Sequence, residues 1–562
     1  MQGRAYLRML VAMAGILIPP IIGTAVAQSG PQLEIVQVDG GKVKGVQTDV
    51  AGVQLFKGIP FAGSTADPNR FSPPQPVKPW DGVKLADRWG DQVLQDVHAN
   101  PVGTFWGNEF YFDPAYIPAA SENGLNLNVW TPAHSANDHL PVYVWIHGGG
   151  NNHGNASEME FYASKLAAKG IVVVAVQYRT GIFGWLSLSD LSRENANHVS
   201  GNYGTRDLIK ALHWVHDYIG NFGGDPSLVT IGGQSAGASN SMMLLRSPLA
   251  RALFKRAVIE SGFVGLFTPP MASLPERESM NADAIATAFG RPMTLKALRA
   301  IPAEEFVTTK AADGTMLLYD ALHQAATKPS AYTLDGYVFT KDSIDLLKPG
   351  ALDGYDILIG GTSNEYSSLM GGPDKTMSPG EFAAGMEKLG LGPDWKEVYR
   401  PSDDREAYRM WLKAQSDFNL QRYLVSAEIA KARNPSVNIY AYYFNHAPPG
   451  RDSEFYGSYH SSDLWYFFDS LRNVAGQRNW TSADHRMAET MSTYLANFIK
   501  TGNPNGNGLP QWPQTSKDSN NAFLRFADGY AYPVSQTPYP DRDLVNRKAV
   551  VQLNESAGFT QR

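Results

Sequence analysis

Continuous apolar runs, each closed by a turn, recur along the chain at PVYVWIHGGG, GIVVVAVQYR, SLVTIGGQS, YDILIGGTS and VNIYAYYFNH. Runs without polar alternation predict strands buried on both faces, as in parallel sheets. Between several of them lie segments of helical spacing, such as YGTRDLIKALHWVHDYIGNF. This alternation predicts an α/β fold with a mostly parallel central sheet flanked by helices. Two stretches break the pattern, about residues 263–330 and 366–434. They are polar, carry Met, Pro and Gly, and have helical spacing in places, as from Arg405 to Gln415. Insertions after the strand ends of such a sheet build the mouth of a pocket. No repeat of fixed period and no low-complexity linker interrupts the chain, so residues 28–562 read as one domain.

The first 27 residues follow a different pattern. Arg4 and Arg8 precede the apolar stretch Met9 to Ile22, and TAVA closes on the small residues Ala25 and Ala27. This predicts a secretory signal peptide cleaved after Ala27. A membrane anchor is disfavoured, because Pro19 and Pro20 interrupt the stretch and a span needs about 20 apolar residues. The expected product is exported, periplasmic or secreted, with no stable membrane insertion after cleavage. The net charge of −6 becomes more negative once the two arginines leave, and no basic tract suits nucleic acid. The chain has no cysteine, which excludes disulfides, thiolate metal ligands and a thiol nucleophile. Its oligomeric state is not legible in the sequence.

Gly233-Gln234-Ser235-Ala236-Gly237 has GxSxG spacing, between the predicted strand SLVTIG and the helix-compatible ASNSMMLLRSPLARALF. In that context a sharp strand-to-helix turn holds the serine in a strained conformation with its hydroxyl above the sheet. Side chains at the flanking glycines would collide with neighbouring elements. An ordinary serine in a glycine-rich turn is the alternative. Upstream, VYVWIHGGGNNHG places three glycines after a buried strand; backbone N–H groups that approach an oxyanion this closely need glycine.

A serine hydroxyl needs a base, and in α/β folds that carry this motif the chain order is serine, acid, histidine. His323, His446, His460 and His485 lie well after Ser235. His460, in the small-residue turn of YGSYHSSDLWYFF, suits a pocket floor; His446 ends a strand and His485 sits on a polar helical face. Glu365, after a strand and a glycine pair in YDILIGGTSNEYSS, is the acid this order favours. Asp335, Asp342, Asp345 and Asp356 compete with it on spacing alone.

Over most of the chain after the leader, the residues resemble the type-B carboxylesterases, the cholinesterase-like branch of the α/β-hydrolase fold, in a bacterial-type exported form. LNLNVWTP, VWIHGGG, YRTGIFGWL, GNYGTRDLIKALHWV, FGGDPSLVTIGGQSAGA, LFKRAVIESG, GGTSNE, GSYHSSDLWYFF and YLANFIKTGNPN carry the resemblance in chain order. It implies Ser235 as nucleophile, Glu365 as acid and His460 as base. It also implies Gly149, Gly150 and Ala236 as oxyanion donors, and Ser261 as a support of the triad by hydrogen bonding. Asp207 and Asp225 match structural positions of the family.

Several positions depart from the family pattern. Gly124 and Val93 stand where the family pairs two cysteines, so its first disulfide is absent. Gln234 replaces a glutamate common before the nucleophile, which implies weaker attraction for cationic alcohol groups. Asn151 replaces the aromatic that often follows the glycines, which implies a polar wall near the oxyanion hole. Asn364 and Tyr366 flank the acid in place of Asp and Gly.

The expected activity is hydrolysis of small-molecule carboxylic esters through an acyl-enzyme, with no metal and no cofactor. A hydrolase of amides or lactones is one alternative. A non-catalytic cholinesterase-like binding protein is another, disfavoured because all three triad candidates are present. The two insertions and Asn151 to His153 are expected to line the pocket. Trp106, Phe110 and Tyr111 serve as its aromatic walls or as packing.

Overall fold

The apolar runs form strands, and most of them join one sheet. The computed structural model describes residues 33–556 except 98, 473, 475, 517 and 518, so the leader expected over 1–27 lies outside the described residues. In chain order the strands of the large sheet are β1 (Val46–Gln47), β2 (Gln54–Pro60), β3 (Asn126–Thr131), β4 (Leu140–Ile146), β5 (Val172–Val176), β6 (Gly224–Gln234), β7 (Arg256–Glu260), β8 (Asp356–Thr362), β9 (Ile439–Phe444), β10 (Phe523–Ala527) and β11 (Tyr530–Val534). Their spatial order is β11-β10-β9-β8-β7-β6-β4-β5-β3-β2-β1. From β10 to β5 every neighbouring pair is parallel, and the antiparallel pairs lie at the two sides. This is the mostly parallel α/β sheet that the sequence predicts.

Burial explains the unbroken apolar runs. Along β4, Val142, Val144 and Ile146 enter the core on one face of the sheet, while Tyr143 and Trp145 enter the core on the other. β5 divides in the same way, Val172, Val174 and Val176 against Val173 and Ala175. A strand covered on both sides has no wet face to alternate with. Full burial of each such valine contributes about 1.5–3 kcal/mol. The helix Tyr203–Tyr218 covers one face with Leu208, Leu212 and Val215. The helix Ser482–Thr501 covers the other with Met487, Met491 and Leu495.

Strand order reverses at β4. The chain leaves β4 for β5 on one side, then returns across the sheet to β6 on the other. Ligands of such sheets bind in the crevice outside the carboxyl ends of the strands at this switch point. The glycine run follows β4 and Ser235 follows β6, so both motifs open on one crevice.

The two irregular stretches fold mainly as helices. The first contains Leu274–Phe289, Leu295–Arg299, Ala303–Thr308 and Leu318–Ala326, which bury Ile285, Leu298, Phe306 and Leu322 in a smaller core shared with Phe71, Ile182, Phe183 and Leu186. The second contains Pro379–Lys388, Trp395–Val398 and the long helix Asp404–Arg433, which includes the helical spacing seen from Arg405. Gly124 and Val93 are neighbours: a Cβ on Gly124 would lie 2.5 Å from the Val93 nitrogen. Packing holds there what a disulfide would otherwise join. Among the described residues no helix is long and apolar enough to cross a membrane.

Candidate active site

Ser235 caps the helix Ala236–Arg246 immediately after β6, with φ 57° and ψ −121°. This conformation is strained for a residue with a Cβ and persists where the surroundings fix it. Here the Ser235 N–H donates to the Glu260 carbonyl at the end of β7 (2.9 Å), and the Ser239 N–H donates to the Ser235 carbonyl (3.0 Å). Space dictates the flanking glycines. A Cβ at Gly237 would lie 1.9 Å from the Ile146 carbonyl oxygen, and one at Gly233 would lie 2.4 Å from the Gly237 carbonyl carbon. The turn is thereby pressed onto the end of β4.

The loop after β4 curls back over the same point. The N–H groups of Asn152 and His153 both donate to the Gly149 carbonyl (2.9 and 3.0 Å). Gly149 has φ 91°, and a Cβ on it would stand 2.1 Å from the His153 carbonyl oxygen. The N–H groups of Gly149 and Gly150 find no backbone acceptor among the described residues. The Ala236 N–H belongs to the first turn of its helix, where donors lack intrahelical partners. His147 stacks on Tyr178 at 4.5 Å between ring centroids, with Nδ1 3.0 Å from the Gly148 carbonyl. Burial pulls its pKa down to about 3, so it is a neutral ring that shapes the loop.

Glu365 follows β8 and is fully enclosed. Its Oε1 accepts from Ser261 Oγ (2.5 Å) and the Thr362 N–H (2.9 Å), and its Oε2 lies 2.5 Å from His460 Nδ1. The loops that carry acid and histidine are tied to each other: the Asn364 N–H donates to the Ser458 carbonyl (3.0 Å), and Asn364 bridges to Tyr459. The Tyr459 hydroxyl donates to Glu109 (2.6 Å), which Arg478 grips with two bonds of 2.9 Å. On its other side the imidazole presents Nε2 to the Gln234 amide at 3.1 Å. With Nδ1 committed to a carboxylate, Nε2 is the basic nitrogen.

The rival groups lie outside this arrangement. His446 pairs with Asp484 at 2.8 Å, His485 is exposed, and burial pushes His323 down to about pKa 4. Asp335 accepts from the N–H groups of Tyr337, Val338 and Phe339, and Asp345 from that of Leu347. Asp356 faces Arg256 and Asn438, and Asp342 is exposed.

Residues 32–532 match the model of the carboxylesterase family. The chain belongs to that family. It is 33% identical over 506 residues to fumonisin B1 esterase of Sphingopyxis macrogoltabida, covering 88% of this chain and 86% of that one. It is likewise 33% identical over 519 residues to carboxylesterase 1F of Mus musculus, covering 85% and 88%. Among solved structures, a PNB esterase superposes with a TM-score of 0.69 at 27% identity, over 92% of this chain and 100% of the other. A thermophilic PNB esterase gives 0.71 at 26%, with the same coverage. The chain is thus a carboxylic ester hydrolase with the α/β-hydrolase fold.

In this carboxylesterase, Ser235, Gln234, His460, Gly149 and Gly150 border one cavity of about 400 Å³. Trp106, Phe110 and Tyr111 wall it, as do Phe263 and Leu369 at the starts of the two insertions. The His460 ring lies 5.3 Å from that of Phe263 and 6.5 Å from that of Trp106. Asn151 is not part of this wall, contrary to expectation. Its Oδ1 accepts from Asn240 Nδ2 (2.9 Å) and the Tyr178 hydroxyl (3.4 Å), because a buried amide turns toward its partners, which lie behind the loop. Asn152 donates to Asp320 (3.2 Å) and also leaves the wall, whereas His153 stays in it.

Sequence reasoning missed two pairs of buried carboxyls. Glu158 and Glu160 border the cavity; the signal was two acids among apolar residues in SEMEFY, directly after the glycine loop. Glu260 and Asp463 lie deeper. The Tyr442 hydroxyl donates to Asp463 Oδ2 (2.8 Å), while neither Glu260 carboxyl oxygen has a partner among the described residues. Burial, then the nearby Glu365 charge, raises Asp463 to about 7, and burial together with Asp463 raises Glu260 well above the usual range.

Proposed function

We propose that this carboxylesterase cleaves small-molecule esters through an acyl-enzyme on Ser235, with His460 as base and Glu365 as the acid that orients it. The observation that carries the reading is the 2.5 Å contact of Glu365 with His460 Nδ1 beside a strained serine on the same cavity. Ser235 Oγ attacks the ester carbonyl while His460 Nε2 takes its proton. The N–H groups of Gly149, Gly150 and Ala236 hold the oxyanion, which is where such donors act most strongly. The imidazolium, steadied by Glu365, returns the proton to the leaving alcohol. Water activated by the same nitrogen then releases the acid and restores the serine. Residues 28–562 act as one exported domain in this reading, supported by the charged, apolar and small-residue order of the first 27 positions.

A stopped-flow trace with p-nitrophenyl esters of graded acyl length tests the reading. The expected result is a burst proportional to enzyme, and a fall of about four orders of magnitude or more in kcat/KM for Ser235→Ala. Equal activity in that variant would remove Ser235 from the mechanism.

A further inference from the structure

Glu365 is aimed by a turn that begins where β8 ends at Thr362, and one ammonium group grips that turn from outside the cavity of Ser235. Lys413, on the long helix Asp404–Arg433, donates from Nζ to the Ser363 carbonyl (2.8 Å) and to Asp417 Oδ1 one helical turn on (2.7 Å). The N–H groups of the turn are held from other directions. That of Ser363 donates to the Phe444 carbonyl at the end of β9 (2.8 Å), and that of Tyr366 donates to Ser416 Oγ (3.3 Å). Among the described residues no group other than Lys413 donates to the Ser363 carbonyl.

Stability alone does not account for an ion pair at this place. The Lys413 and Asp417 side chains are 15% and 6% exposed, and a buried ion pair gains little over well-packed apolar side chains of similar size. The fold nonetheless commits further polar groups to it. Asp417 Oδ2 accepts from the Tyr399 hydroxyl (2.9 Å), which itself accepts from Asn546 Nδ2 (2.8 Å), and Arg542 Nη1 stands 3.9 Å from the same carboxylate. Asn546 and Arg542 belong to the helix Pro540–Ser556. Two helices are thereby tied, through one ion pair, to the carbonyl two residues before the acid. An apolar pair could pack in the same space, but it has no donor for a carbonyl.

We propose that Lys413 is a positioning residue for the acid of the triad: by fixing the Ser363 carbonyl it sets the turn that keeps Glu365 Oε2 on His460 Nδ1. The proposal rests on the esterase reading above and adds a residue to it. Lys413 touches no part of the space where an ester binds. It lines a second cavity of about 570 Å³ together with Ser363, Asn364 and Ser367, whereas Ser235 and His460 line the other. Its influence on the reaction therefore runs through the turn. The carboxylate itself is anchored by Ser261 Oγ and the Thr362 N–H, both on Oε1, which leaves the backbone between Thr362 and Glu365 to be fixed from the far side. A misplacement of about 1 Å can cost two orders of magnitude in rate, so a loosened turn appears in kcat.

The test is steady-state hydrolysis of a neutral p-nitrophenyl ester by the full chain, at a temperature where calorimetry shows each variant folded. Lys413→Met is expected to lower kcat about tenfold with KM little changed, the size of one hydrogen bond from a charged group. Because that change strands the Asp417 charge, the double variant Lys413→Met/Asp417→Asn is measured beside it, and the same loss is expected there. The decisive comparison repeats the double change in Glu365→Gln. If Lys413 acts through the acid, kcat in that background moves by less than about twofold. An equal loss with and without the Glu365 carboxylate overturns the assignment, as does an unchanged kcat in the double variant with Glu365 intact. Failure of the esterase reading looks different, since Ser235→Ala would then hydrolyse the ester as fast as wild type.

Discussion

At Ser261 one hydroxyl decides how firmly Glu365 is held. Its bond to Oε1 (2.5 Å) shares that oxygen with the Thr362 N–H, so Ser261→Ala leaves one donor in place. Hydrogen bonds to charged groups contribute about 1.5–3 kcal/mol. The expected outcome is a roughly tenfold loss in kcat with KM little changed, checked by steady-state kinetics on a p-nitrophenyl ester. A change confined to KM would make Ser261 a substrate contact instead. Asp463 makes the opposite kind of prediction. Its carboxyl titrates near 7 in the folded chain against 3.8 ordinarily. Between those values the folded state binds the extra proton, so this group's contribution turns unfavourable as pH rises from about 4 to 7 and stays so above. Asp463→Asn is therefore expected to raise Tm by roughly 2 °C at pH 8 and to lose that advantage near pH 4, read by calorimetry. Legibility at this scale followed the source of the constraint. Ser235 was readable because the atoms that demand glycine on either side of it belong to motifs that are themselves printed in the sequence. Glu158 was not, because its partners converge from the Tyr111 segment and the loop after β4.

Among the elements, the strands were readable and the insertions only as interruptions. β4, β5, β6, β8 and β9 announce themselves because both faces are dry, which forces consecutive apolar residues. The shorter helices between Leu274 and Lys388 bury only a few positions each, and the long helix Asp404–Arg433 buries polar as well as apolar side chains around Ser416 to Ala427, so both read as polar sequence and Phe263 and Leu369 could not be placed at the cavity beforehand. The helix Ser482–Thr501 shows how one start is secured. Thr481 and Asp484 form a reciprocal capping box, and Asp484 also accepts from His446 and the Tyr466 hydroxyl, each at 2.8 Å. Burial alone would raise the Asp484 carboxyl, but the bonds from His446, Thr481 and Tyr466 bring it down to about 2, below its ordinary 3.8. A depressed carboxyl stabilises the fold above pH 4, and that stabilisation disappears as pH falls toward 2. Asp484→Ala is expected to cost about 3 kcal/mol at pH 7, from a lost cap and two stranded partners, and less at pH 3. Urea midpoints at the two pH values measure the difference; an equal cost at both would show that the charge is not what matters.

For the whole molecule, the mostly parallel sheet was implied by strand–helix alternation and the cavity mouth by the two insertions, but the strand order and the acidic part of the lining were not, because they depend on how segments around 106, 160, 263, 369 and 460 converge. Export is tested on the same scale: N-terminal sequencing of protein recovered outside the cytoplasm should begin at Gln28, and retention of Met1 in that fraction would contradict it. The link from Tyr459 through Glu109 to Arg478 has a wider consequence. Glu109 ends the short helix Phe105–Glu109, which also carries Trp106, with Phe110 directly after it. The stretch that sets the cavity's boundary is therefore bolted to the loop that aims the imidazole. Cutting that boundary back to admit bulkier esters will also re-aim the base, so breadth and turnover are geared together in this scaffold. An engineer who wants to change one and keep the other would start at the bolt, Glu109 and Arg478, before touching the wall.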